Sequence, residues 1–159
     1  MERKECFVES KQLTDKFKKN ILFKDKMNNF EFLKERAKEF WERGIEDLEK
    51  ARFNLSAFDF EQAIQLFVKY LIGKKVGDWP KTHYFSDLIR ELSSVYNNKR
   101  ILTFFSENEI FFSDLEDAYF TSRYFDKKFS KNLVRNILEK CKEFLKVIEE
   151  TIGEKFLNE

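Results

Sequence analysis

One corner of the sequence carries the residue types that hold phosphate and bases. Arg123, Lys127, Lys128 and Lys131 alternate with Tyr124, Phe125 and Phe129. Cations neutralise phosphate oxygens, a guanidinium can do so bidentately, and rings give bases a surface to stack on. A nucleotide or single-stranded RNA site requires this combination. Asp126 dilutes it, and a merely solvated turn between helices is charge-rich in the same way. A second set lies upstream in FEQAIQLFVKYLI. There Gln62, Gln65 and Lys69 fall at the seam between the apolar and polar sides of a helix, where they can line a pocket. His83 is the sole histidine. Near a helix start it reads as a structural hydrogen-bonder, with pocket lining as its functional option. No Cys, His, Asp or Glu stands at ligand spacing around it, so no metal site is expected. Asp114, Glu116 and Asp117 point in different directions from a helix and read as surface charge or as partners for the basic corner.

Other chemistries lack their residues. Without a Gly-rich phosphate loop the chain does not read as a P-loop nucleotidase. One histidine and no strand-turn-helix elbow leave no credible Ser-His-Asp or Cys-His set. No motif implies a cofactor. Thirty basic residues against 29 acidic give a net charge of +1. Nothing global recruits nucleic acid, so any such binding is local. The abundant Lys and Glu are compatible with a thermophile's surface. Cys6 and Cys141 lie far apart and read as reduced thiols of a cytoplasmic protein. The start, MERKECFVES, has no apolar signal region, and no run of about 18 apolar residues can span a membrane.

The elements that must position these residues are helices. In 159 residues there are 20 Phe but only four Gly and one Pro, which favours helices packed on helices in one domain. The central helix is predicted over about Phe58–Ile72, with Phe60, Ala63, Ile64, Phe67, Val68 and Leu71 inward, Ser56 as a capping-box start and Gly73 and Gly77 around its end. A long helix precedes it, from about Phe30 to Leu55, capped by Asn28 or Asn29, with Gly44 permitting a close crossing. The two should form an antiparallel hairpin. Trp79 is expected to pack back on the core. A third helix follows over about His83–Tyr96, capped by Thr82. Residues 97–106 read as a connection. A fourth helix runs over about Glu107–Tyr124, with Ser106 and Glu109 as capping box and Ile110, Phe111, Leu115, Ala118 and Tyr119 inward. Ser130 caps a last helix to about Phe156. The aromatics Phe104, Phe105, Phe112 and Phe120 exceed what one helix side can bury, so some are expected to cover a second subunit. Residues 1–28 form a basic extension in which Leu13, Phe17 and Ile21 are spaced for a short amphipathic helix. Residues 29–157 form the domain.

Three stretches carry a resemblance. FEQAIQLFVKYLIGKKVGDWPKTHYFSDLI, with Gln62-Ala63, Leu66, Lys69, Pro80, Thr82-His83 and Leu88, resembles the second and third helices of a HEPN domain. AKEFWERGIEDLEKA resembles its first helix. LEDAYFTSRYFDKKF, with Tyr119, Arg123 and Tyr124, resembles its fourth. The resemblance covers most of residues 30–150 and implies an all-α, up-and-down bundle of about five helices. It also adds Tyr119 to the binding residues at the corner.

Catalytic members of that family are metal-independent ribonucleases. In them an Arg is followed four to six residues later by a His, and two copies meet across a dimer. Cleavage through the 2′-hydroxyl needs a proton carrier near neutral pKa and a cation on the phosphate. Here YFDKKFSKN follows Arg123, and no histidine lies downstream. The resemblance therefore implies a non-catalytic homodimer that binds nucleotide or RNA. It also implies a minimal nucleotidyltransferase as partner, in a pair of toxin–antitoxin character. A divergent ribonuclease is the alternative, and a purely structural docking partner the third reading.

Overall fold

The computed structural model describes residues 30–158, together with Asp15 and Lys18. The spacing noted for Leu13, Phe17 and Ile21, and the caps expected at Asn28 or Asn29, lie outside the described residues. Within them the chain is all-α, with six helices and no strand. These are α1 (Glu31–Glu49), α2 (Phe53–Val76), α3 (Phe85–Tyr96), α4 (Lys99–Glu107), α5 (Glu109–Tyr124) and α6 (Lys131–Ile152). One helix exceeds the sequence expectation. Residues 97–106 are not a connection: Asn97 takes a left-handed conformation at φ 49°, and the Asn98 side chain accepts from Arg100 N–H to start α4.

α2 is the axis of the fold and packs against α1, α3, α5 and α6. Phe60, Ala63, Ile64, Phe67, Val68 and Leu71 are all buried, as the three-four spacing requires. Its end also follows the sequence. Gly77 sits at φ 86°, its N–H donates to Gly73 O, and Lys74 and Lys75 occupy the last turn.

The start of α2 does not follow. α1 stops at Glu49 and α2 begins at Phe53, so the hairpin turn lies about six residues earlier than the sequence suggests. Ala51 adopts φ 57°, a conformation usually reserved for Gly or Asn, so no residue type announced the break. The turn closes by Arg52 N–H donating to Asp47 O at 2.8 Å, while Arg52 Nε donates to the Asp47 carboxylate at 2.6 Å. Ser56 is not a cap. It is buried inside α2, and its hydroxyl donates to Gly44 O at 2.7 Å. The crossing there is as close as Gly44 suggested, since a Cβ on Gly44 would lie 2.7 Å from the Phe60 ring.

Other start signals shift as well. α3 begins at Phe85 rather than His83, with Tyr84 in the cap position; the Thr82 hydroxyl accepts from Tyr84 N–H. Ser106 lies within α4 and donates to Thr103 O, so no capping box forms with Glu109. Ile110 is 81 % exposed rather than inward. Ser130 caps α6 as expected, accepting from Leu133 N–H at 3.1 Å. α6 ends at Ile152, because Gly153 turns the chain at φ 80°. The tail then folds back. Phe156 lies against Trp41 and Phe67 at 5.7 and 4.8 Å between ring centroids. Glu154 accepts from Lys34, Lys74 and the Tyr70 hydroxyl. Burial alone would raise the Glu154 carboxyl, but the two ammonium groups hold it below its ordinary range. Trp79 packs back on Phe30 and Phe32, as anticipated.

Two substitutions test this packing. Phe67→Ala removes a ring with no exposed surface and is expected to cost about 3–5 kcal/mol by denaturant unfolding. Gly44→Ala should destabilise by about 1–3 kcal/mol, although alanine is the better helix former, because the Phe60 ring must move.

Candidate functional site

α5 delivers Arg123 in its last turn, one turn beyond Tyr119. The guanidinium folds back: Nε and Nη2 donate to Tyr119 O at 3.2 and 3.0 Å. It lies 4.5 Å from the Tyr119 ring centroid, 5.1 Å from that of Phe58 on α2 and 5.2 Å from that of Tyr124. Three rings therefore hold the cation. Among the described residues Arg123 forms no ion pair. It remains exposed beside Tyr124 and Phe125, which are 71 % and 67 % exposed.

The rest of the basic corner is divided. Beyond α5 the chain runs without regular structure to Ser130, fixed by Asn54 at the start of α2. Asn54 Nδ2 donates to Lys127 O, and Phe129 N–H donates to Asn54 Oδ1. Phe129 is buried, so it offers bases no stacking surface. Lys127 is drawn to Asp117 at 3.0 Å, the partnership suggested for the acidic run. Glu116 turns the other way and accepts from Phe85 N–H. Lys128 is exposed and lines a separate cleft of about 400 Å³ with Arg52, Leu55 and Phe129. Lys131 opens α6 and is exposed.

His83 joins this neighbourhood from the segment before α3. Its ring lies parallel to Tyr119, 4.7 Å away at an 8° tilt, and edge-on to Phe120 at 5.0 Å. The sole imidazole and the corner's guanidinium thus share one tyrosine within a single chain. The Nε2 of His83 is buried without a hydrogen-bond partner, so the expected structural hydrogen-bonder is held by stacking instead at that nitrogen.

Under the corner lies a polar ladder on α2. Glu61 has no exposed surface. Its carboxylate accepts from Gln62 Nε2 at 2.7 Å and Gln65 Nε2 at 2.6 Å; Lys69 Nζ donates to Gln65 Oε1 at 2.8 Å. Burial raises the Glu61 carboxyl to about 7, against those hydrogen bonds and the charges of Lys69 and Arg123. Burial likewise lowers Lys69, which the charge of Glu61 opposes. Gln62, Gln65 and Lys69 thus belong together, but with Glu61 rather than around a described cleft. Glu61 escaped the sequence reading. The signal was present: Glu61, Gln65 and Lys69 stand four apart on a helix whose remaining faces are apolar.

The comparisons with known proteins agree with the architecture. The HEPN domain profile matches residues 30–151, so the chain belongs to the HEPN domain family. No curated protein and no solved structure shows a significant match.

Glu61 makes stability depend on pH in a definite direction. Its folded pKa is raised, so its contribution is complete below the ordinary value of 4.5 and is lost as pH rises towards 7. Unfolding free energies of wild type and Glu61→Gln should diverge by on the order of 3 kcal/mol across that window and run parallel above it.

Proposed function

We propose that this HEPN-domain chain is a non-catalytic binding module. It takes a nucleotide or single-stranded RNA at the Arg123 corner and acts as a homodimer. It partners a minimal nucleotidyltransferase in a pair of toxin–antitoxin character, in the cytoplasm. The observation that carries the binding reading is the state of Arg123. It is exposed, pre-oriented by its bonds to Tyr119 O and set among rings, with no hydrogen bond from Nη1 among the described residues. Tyr124 and Phe125 supply stacking surfaces beside it. The dimer and the nucleotidyltransferase rest on the family's habits.

The expected dimer face draws on some of Phe104, Phe105, Phe112 and Phe120, of which all but Phe112 are half-buried. Phe112 is buried within the chain, and Phe104 and Phe105 pack against it at 6.2 and 4.8 Å between centroids. What the α5 face still offers a second copy is half-buried Phe120 with exposed Ile110 and Tyr124. No described helix is long and apolar enough to cross a membrane.

A second reading has one observation in its favour. The stack of His83 on Tyr119 beneath Arg123 brings a proton carrier and a phosphate cation together, which a metal-independent ribonuclease needs. The burial of His83 Nε2 weighs against it.

Anisotropy of a labelled 12-nucleotide single-stranded RNA, and of labelled ATP, tests the binding reading. Arg123→Ala should weaken binding about tenfold or more and make it less salt-dependent. No binding by wild type at any salt concentration would refute it. RNA incubated in chelator should stay intact; cleavage lost in both Arg123→Ala and His83→Ala would establish the ribonuclease instead.

A further inference from the structure

The first half of α2 leaves one stripe open to solvent. Leu55, Phe58 and Gln62 stand three and four residues apart, so they share a helix face. Leu55 is 48 % exposed, and Phe58 is half-buried. The Arg123 guanidinium lies over the Phe58 ring, 5.1 Å from its centroid. Leu55, on the same face towards the start of the helix, lines the cleft of about 400 Å³ that Lys128 also lines. Three residues separate Leu55 from Phe58, about 4.5 Å of axial rise. The cleft therefore adjoins the guanidinium along one helix face.

Two pieces of chain far apart in sequence build the cleft. Phe53 and Leu55 come from the first turn of α2, and Lys128 and Phe129 from the segment after α5. The Asn54 side chain ties the two together, donating to Lys127 O at 2.7 Å and accepting from Phe129 N–H at 2.8 Å. Burial of the Phe129 ring anchors the segment further. The cleft is thus held by contacts within the chain. Its two cations differ. Arg52 is committed to the Asp47 carboxylate. Lys128 is exposed and forms no ion pair among the described residues. The cleft offers a largely apolar space, the half-buried Phe53 ring and one uncommitted ammonium group.

We propose that this cleft is a second nucleotide subsite, and that the ligand of the corner is a strand of single-stranded RNA rather than a free nucleotide. The inference rests on the reading that Arg123 binds phosphate. One phosphate lies on Arg123, with its base against the exposed rings of Tyr124 and Phe125. The neighbouring base enters the cleft against Phe53 and Leu55, and Lys128 takes its phosphate. Two cations without ion pairs stand beside two separate apolar surfaces. A mononucleotide, with one phosphate and one base, fills half of that arrangement. A strand fills both halves, because rings and cations in alternation follow its bases and phosphates. The cleft is mostly apolar with few polar groups, which suits a base better than an acidic peptide, whose carboxylates would meet a single uncommitted cation.

Calorimetry of the full chain with 5′-phosphorylated uridylates of one, two and four nucleotides tests this. Wild type should bind the dinucleotide about tenfold tighter than the mononucleotide, the gain that stacking of one further base supplies. Leu55→Asp places a carboxylate at the cleft and should cut that ratio to about twofold or less. Lys128→Ala should lower the ratio several-fold. Both side chains are exposed, and thermal unfolding checks that the variants keep the fold. The tetranucleotide carrying 4-thiouridine at its second position should crosslink under ultraviolet light to residues 53–55 or 128–129. Equal wild-type affinity for one and two nucleotides overturns the inference while leaving phosphate binding at Arg123 intact. So does a ratio unchanged in Leu55→Asp, and so do crosslinks found only outside those residues. Absence of binding by wild type to all three uridylates removes the binding reading and this inference with it.

Discussion

The structure depends on the near-complete burial of α2. Most helices of a small bundle keep one face in water, but α2 is packed on α1, α3, α5 and α6 and loses solvent on almost every side. Burying Phe60, Ile64, Phe67, Val68 and Leu71 is the main driving force that orders the chain. The same burial strips water from every polar side chain the helix carries. Asp59 is buried and answered by Arg43. Ser56 is answered by Gly44 O. Glu61 is answered by two amides and by cations held at a distance. A structural requirement thereby sets the electrostatics of the surface above it.

That connection gives the Arg123 corner its character. The guanidinium is fixed by Tyr119 O and by three rings rather than by a carboxylate partner, so its charge is not consumed inside the chain. Lys127, by contrast, is spent on Asp117. The difference separates a cation with no ion pair among the described residues from one that holds a turn. His83 belongs to the stack but presents its ring rather than a free nitrogen.

The apolar periodicity of α2, the Gly77 stop, the Ser130 cap and the close crossing at Gly44 were all legible in the sequence. Each rests on a local rule of spacing, backbone freedom or side-chain reach. The misplaced features have physical reasons too. The α1–α2 break falls at Ala51, a residue with no turn preference, held at positive φ by the Asp47–Arg52 contacts around it. α4 is only nine residues long, and its start depends on the Asn98 side chain. Phe129 looked like a surface ring because its burial depends on Asn54, 75 positions away. Glu61 went unread because only tertiary packing covers both sides of its helix. Its i,i+4 relation to Gln65 and Lys69 was visible, but the desolvation that gives that relation consequence was not.

The central claim is that burial inside α2 raises the Glu61 carboxyl far enough that it changes its charge near neutrality. The most direct measurement is a carbon-detected NMR titration of the Glu61 side-chain carboxyl in the folded chain, with no ligand present. The account predicts a midpoint near 7, moved downward when Gln62 and Gln65 are kept and the seam is opened to water by unfolding. A midpoint in the folded chain at the ordinary value of about 4.5 would contradict it, because Glu61 would then titrate as a solvated acid despite its burial.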